Sequence, residues 1–137
     1  MSGDTSALAE LIAAAAAARA NAYAPYSRFA VGAAIRSVDG TLHAGANVEN
    51  AAYPQGQCAE ASAIGAMIAA GGRRISEMAV LADGAALCAP CGGCRQRIRE
   101  FADPATPIHL CGPEGLRRTV TLGELLPLAF GPDNLPP

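Results

Sequence analysis

The chain has 137 residues, 51% of them hydrophobic and 16% charged, with 10 Lys and Arg against 12 Asp and Glu for a net charge of −2. That length supports one hydrophobic core and not two, so a single domain over residues 1–137 is predicted. The slightly acidic balance lacks the excess of basic residues that attraction to a phosphate backbone requires, which excludes a general nucleic-acid binder. Five cysteines, an odd count, argue against a disulfide framework. The longest apolar run, Leu11 to Ala18, has eight residues. A bilayer span needs ~20, and no Lys or Arg precedes the run as a secretory signal would require. The expectation is a cytoplasmic protein with reduced thiols and no membrane partner.

Leu8, Leu11, Ile12, Ala15 and Ala16 recur at helical spacing behind the candidate caps Asp4, Thr5 and Ser6, and Pro25 closes the segment. The alanine-rich stretch reads as a helix packed closely against the core, since Ala is the best helix former. Phe29, Val31, Ala33 and Ile35 alternate as in a strand. Asp39-Gly40 then separates them from a second extended run, Leu42 to Asn47, as a hairpin turn does. Cys58 to Ala70 carries Ile64, Met67 and Ile68 on one helical face and stops at Gly71-Gly72. The short apolar run Met78–Ala82 reads as a central strand covered on both faces. A third helix is predicted from Cys91 to Phe101, with Arg95, Arg97 and Arg99 mostly in solvent. Ile108–Cys111 and Leu116–Thr121 read as two more strands. Thr121-Leu-Gly-Glu124 has the form of a capping box opening a short helix that Pro127 ends. Strands alternating with helices predict an α/β fold, a three-layer α/β/α sandwich around a five-stranded mixed sheet.

The chemistry concentrates in the cysteines. Cys91-Gly-Gly-Cys94 lets two thiolates at a helix start reach one metal ion, and Cys58, 33 positions earlier, stands at another predicted helix start with Glu60 two residues on. Amide N–H groups and the positive helix end stabilise thiolates at such places. Three ligands leave one position of a zinc ion to water, the catalytic pattern, whereas structural zinc sites are closed by four. Three thiolates also outweigh the dication by one charge, so amide donors and a cation have to compensate. Arg95, directly after the last ligand, is the candidate. Glu60 is placed to accept a proton from water and pass it to a substrate nitrogen.

Other readings share these residues. Cys88, Cys91 and Cys94 match the first three cysteines of an iron–sulfur run, with Ile98 where the fourth would stand. Cys91 and Cys94 also fit a redox disulfide, and a structural zinc module would leave Glu60 a solvated residue of a first helical turn. Cys88 and Cys111 read as small buried apolar residues. His43 and His109 read as strand histidines paired with backbone or solvent.

Nearly the whole chain resembles the small, zinc-dependent cytidine deaminase family. The matching segments are Ala24-Pro-Tyr-Ser-Arg-Phe-Ala-Val-Gly-Ala-Ala34, Gly45-Ala-Asn-Val-Glu-Asn50 with Tyr53-Pro54, Cys58-Ala-Glu60, Pro90-Cys-Gly-Gly-Cys-Arg-Gln96, and Leu125-Leu-Pro127 with Phe130-Gly-Pro132. The resemblance implies one zinc per chain on Cys58, Cys91 and Cys94, with Glu60 as the proton shuttle in hydrolytic deamination of cytidine or 2′-deoxycytidine. It implies that Phe29 packs on the pyrimidine, that backbone at Ala59 and Cys91 orients base and water, and that Asn47 and Glu49 bind the ribose. It implies a homotetramer with active sites at subunit contacts, where a neighbour supplies Ala51, Tyr53 and Phe130. A carboxylate at the sugar favours a nucleoside over a nucleotide. Many relatives carry Arg directly after the catalytic Glu, whereas this chain has Ala61, which shifts the expected burden of charge compensation to Arg95. Relatives acting on nucleic acid typically have His-Ala-Glu in place of Cys-Ala-Glu. Blasticidin deaminase, which shares three cysteines, is the competing enzyme.

Overall fold

The computed structural model describes residues 2–136. Helix α1 runs over Ser2–Arg19. It is already helical before Asp4, Thr5 and Ser6, which therefore lie inside its first two turns and do not cap it. Leu11 and Ala15 are fully buried while Ala16 is exposed, so the packed stripe is narrower than the sequence pattern suggests. Pro25 lies beyond the helix end; the chain turns out of α1 at residues 20–21.

Strand β1 (Val31–Ser37) turns at Asp39-Gly40 into β2 (Leu42–Ala46), with Gly40 at φ +91°. Phe29 falls outside β1. Burial along β1 is nearly continuous where alternation is predicted, because both faces of the strand are covered. Strand β3 is Ile75–Ala82, β4 is Pro107–Gly112 and β5 is Gly115–Thr121. The sheet order is β2-β1-β3-β4-β5, antiparallel throughout except for the β3–β4 pair. That parallel pair needs a crossover, and helix α3 (Gly92–Phe101) lies within it.

Helix α2 (Ala59–Ala69) ends as Gly71-Gly72 predicts. Gly71 takes φ +97° and donates to Ile68 O at 3.0 Å, and Gly72 N donates to Met67 O at 2.9 Å. The short helix α4 (Leu122–Leu125) opens on the predicted capping box between Thr121 and Glu124. Among the described residues no helix is long and apolar enough to cross a membrane.

Two apolar clusters fill the two faces of the sheet. Leu11, Ala15, Ala34, Ala79, Leu81 and Cys111 pack under α1; Ile35, Met67, Met78, Val80, Ile98 and Ile108 pack between the sheet and the other helices. Each fully buried Leu, Ile or Met contributes about 1.5–3 kcal/mol. The layers approach closely because two positions lack a side chain. A Cβ at Gly32 would overlap the Ala15 carbonyl of α1, and one at Gly45 would overlap Ala63 of α2. The second contact draws the start of α2 against the hairpin, and so positions the site.

His109 is not paired with backbone or solvent as expected. It is buried, with Nδ1 against Thr119 Oγ1 and Nε2 against Glu77 Oε1, both at 2.9 Å, and Glu77 accepts from Arg36 Nε at 3.2 Å. Arg36 in turn donates to Ala7 O on α1 at 2.8 Å. The ladder crosses the sheet and satisfies groups that would be costly to bury alone.

Candidate active site

Cys58 is the N-cap of α2 and Cys91 the N-cap of α3, both in extended backbone with no side-chain cap bond. An N-cap side chain projects toward the free amides of the first turn, so each sulfur sits where a negative charge is favoured. The two-residue spacer makes Cys94 the third residue of α3, one turn above Cys91. Pro90, fully buried, anchors the approach to Cys91. Cys58 Sγ and Cys91 Sγ are 3.9 Å apart, and all three sulfurs lie within 4.8 Å of one another. Tetrahedral zinc with Zn–S distances of ~2.3 Å places its sulfurs ~3.8 Å apart. The three residues therefore fit one zinc ion.

Cys88 stands outside this group, so the run Cys88, Cys91, Cys94 does not assemble, and Ile98 is fully buried in the core. His43 pairs with Thr41 Oγ1 at 3.0 Å and, like His109, takes no part.

The thiols differ in their surroundings. Burial pushes Cys58 and Cys94 up, Cys94 further because Glu60 and Cys58 add negative charge beside it. The Cys94 backbone amide, donating to Cys91, pulls that thiol down. A coordinated divalent ion ionises such thiols outright. Glu60, the second residue of α2, is only 4% exposed, and loss of solvation raises its carboxyl above the usual range, with the Arg97 charge opposing. A raised carboxyl binds its proton more firmly than an exposed one, as a group that takes up and passes on a proton requires.

These groups open into a cavity of about 320 Å³ lined by Phe29, Asn47, Glu49, Cys58, Glu60, Cys88 and Cys91 among others. Phe29, 43% exposed, faces it from a loop whose preceding residue, Arg28, has φ +59°, a strained conformation for a residue with a side chain. The loop is held from below. Asn47 accepts from Val31 N at 2.9 Å and donates to Phe29 O at 2.8 Å. Glu49 accepts from the backbone N–H of Tyr26 and Ser27 at 2.9 and 3.0 Å and from the Ser27 hydroxyl. Those bonds hold its carboxyl below the usual range.

Ala51, Tyr53 and Phe130, which the resemblance assigns to a neighbour's site, lie outside the cavity of their own chain. Ala51 and Tyr53 are exposed on a neighbouring segment, Tyr53 packing edge-on against Tyr26 at 5.9 Å, and Phe130 is 58% exposed with its carbonyl accepting from Gln96. Arg95 does not reach the sulfurs. Its guanidinium donates to Pro90 O at 2.6 Å and Leu125 O at 2.9 Å, and the contact with a ligand comes from Arg97, whose Nη1 is 3.9 Å from Cys94 Sγ. Cys88, expected to be a buried bystander, is half-buried and lines the cavity, while Cys111 is buried as expected.

Residues 5–110 match the family model described as the cytidine and deoxycytidylate deaminase zinc-binding region. The cytidine deaminase of Sporosarcina psychrophila is 42% identical over 126 residues, 92% of this chain and 93% of that protein. The chain belongs to the cytidine deaminase family. Its relatives include the cytidine deaminase of Mycobacterium tuberculosis H37Rv, 43% identical over 87% of this chain and 86% of that protein. The crystal structure of cytidine deaminase from Burkholderia pseudomallei, 44% identical, superposes with a TM-score of 0.84 over 89% of this chain and 98% of that one. Membership makes zinc the metal, with Cys58, Cys91 and Cys94 the group that can hold one ion, and the iron–sulfur and redox-disulfide readings fall away. Within this cytidine deaminase fold the residues that sequence reasoning missed are Arg97 and Cys88. Arg97 carried a signal: it stands three residues after Cys94, the spacing that puts two side chains on one helical face. Cys88 carried none, since it belongs to the irregular loop 83–90.

Proposed function

We propose that the protein hydrolyses cytidine and 2′-deoxycytidine to uridine and 2′-deoxyuridine with release of ammonia. The observation that carries this reading is one cavity lined by Cys58 and Cys91 of the three-cysteine cluster, by the buried Glu60 and by the Asn47–Glu49 pair, with Cys94 behind its wall. Cys58, Cys91 and Cys94 hold the zinc, which when bound supplies the Lewis acidity that makes water a nucleophile near neutral pH. Glu60 takes one proton from the attacking water and gives it to N3 of the base. It then takes the second from the new C4 hydroxyl and gives it to the amino group, which leaves as ammonia as the C4–N bond breaks and C4=O forms. Its raised carboxyl suits it to both halves of the exchange. Backbone groups at Ala59 and Cys91 orient the base, and Phe29 packs on its face.

Asn47 and Glu49 keep capacity for the sugar after clamping the loop. One N–H of the Asn47 amide is uncommitted, and the Glu49 carboxylate has room for a further donor. The same carboxylate repels a 5′-phosphate, which selects a nucleoside over a nucleotide. The active assembly is a homotetramer in which a neighbour supplies Ala51, Tyr53 and Phe130. Their exposure, together with that of Tyr23, Tyr26 and Leu128, supports an apolar contact between copies. One catalytic domain over residues 1–137 is the unit of that assembly, and a reducing cytoplasm suits its free thiols.

The test follows the absorbance of cytidine as uridine forms, with ammonia measured alongside, before and after treatment with a chelator. Turnover that stops with the chelator and returns with zinc is the expected result. A zinc-loaded protein that releases no ammonia from either nucleoside, or that acts only on blasticidin, overturns the reading.

A further inference from the structure

The three sulfurs carry one more negative charge than a zinc ion cancels, and the buried Glu60 beside them adds to the excess. Helix ends supply only about half a positive charge each. A full cation is needed near the cluster, and the first turn of α2 has none, Ala61 following Glu60. On α3 three arginines alternate, and the structure separates their tasks. Arg95 is spent on the carbonyls of Pro90 and Leu125. Arg97 lies on the face of Cys94, with Nη1 3.9 Å from its sulfur, a distance at which an N–H donates to sulfur. Among the described residues the Arg97 guanidinium makes no ion pair and no other hydrogen bond. It lines a hollow shared with Ala61 and Gly65 of α2, where a methyl group and a residue without a side chain leave room. Glu100, the acidic residue lining the same hollow, does not capture it.

We propose that Arg97 is the counter-charge of the three-cysteine centre, a positioning residue whose guanidinium, seated on the Cys94 sulfur, sets how firmly the site retains zinc. The contact acts on the centre from outside the substrate cavity, since Arg97 does not line it. Its effect therefore falls on the metal and, through the metal, on kcat, without loss of base or sugar contacts. The inference rests on the zinc reading above.

The experiment is a charge series at one position, Arg97→Lys, Arg97→Gln and Arg97→Glu, with Arg118→Ala, an exposed arginine of β5, as the surface control. Each full-length, zinc-loaded protein competes against a chromophoric chelator at low and at ~1 M salt, and the unfolding transition is recorded for each variant. Removing a group bonded to a metal ligand costs 10–100-fold in metal affinity. Because Arg97 is exposed, roughly tenfold weaker retention is expected for Arg97→Gln, a larger loss for Arg97→Glu, and most of the affinity kept in Arg97→Lys. The gap between wild type and Arg97→Gln narrows at ~1 M salt, where the screening length falls to about 3 Å. A purely packing role would give a loss indifferent to charge and salt. Equal zinc retention across the series, or a loss without the charge order Lys, Gln, Glu, overturns the proposal while the zinc reading stands. A wild-type protein that takes up no zinc overturns both.

Discussion

The metal end of the cavity is carried by the first turns of two helices, whereas the end proposed for the sugar hangs on a loop. At the metal end, Cys58, Glu60, Cys91 and Cys94 occupy fixed positions of helix starts packed on the core, so their geometry follows from backbone hydrogen bonds and helical spacing. At the sugar end, Phe29 follows a residue in left-handed backbone, and its loop is held by Asn47 at Phe29 and Val31 and by Glu49 at Tyr26 and Ser27, two side chains from the segment just after β2. The cysteines and Glu60 stand on helix starts, while Phe29 stands on a segment that depends on a few polar bonds.

Variants that break the comparison at its metal end have the largest expected effects. Cys91→Ala removes one of three sulfurs and the N-cap sulfur of α3. Metal analysis should find far less than one zinc per chain and activity below detection. Glu60→Ala leaves the sulfurs intact, so zinc content and the folded state should persist while kcat falls at least ~10²-fold, the low end for a general acid–base. Retained turnover would reassign the proton transfer.

At the sugar end the expected loss is smaller and of a different kind. Glu49→Gln weakens the clamp on the Phe29 loop and the sugar contact together, and KM for cytidine should rise about tenfold with kcat changed less, the pattern of lost substrate binding. A kcat loss as large as that of Glu60→Ala would erase the distinction between the two ends.

The smallest effect is a control remote from both. Hydrogen bonds from Ser37 and Thr41 hold the Asp39 carboxyl down at about 2, against an ordinary 3.8. A lowered carboxylate contributes stability that is complete above its unfolded value and is lost as pH falls toward its folded one. Asp39→Asn should therefore flatten the loss of stability between about pH 4 and 2 in acid-unfolding curves, and leave kcat/KM at neutral pH unchanged.

How much could be read in advance follows the same division. The three-cysteine cluster and the helix starts were legible because a two-residue spacer at a helix start puts two sulfurs on one face, and the Cys58 pair singled out metal among the chemistries that share that spacer. The glycine stop of α2 and the Thr121–Glu124 box were legible because both are local hydrogen-bond patterns. The start of α1 was misread because Asp4, Thr5 and Ser6 are good caps that helix propensity and packing override. His109 was misread because its partners, Thr119 and Glu77, stand 10 and 32 residues away on neighbouring strands.

From its order of residues alone the chain determined its family, through motifs spread over nearly its whole length, and the pairing of Cys91 with Cys94 and of Cys58 with Glu60, each within one helical turn; the fold then brought the two pairs together. Only the tertiary structure decided which arginine meets the sulfur. Successive helix residues are turned by about 100°, so Arg95 and Arg97 face different neighbours, and which face meets α2 and which meets the loop around Leu125 is set by how α3 packs on the sheet. The same holds for Cys88, which an irregular loop brings to the cavity wall, and for Phe29, which leaves the strand its pattern belongs to because its carbonyl accepts from Asn47 and its N–H donates to the Ser27 hydroxyl instead.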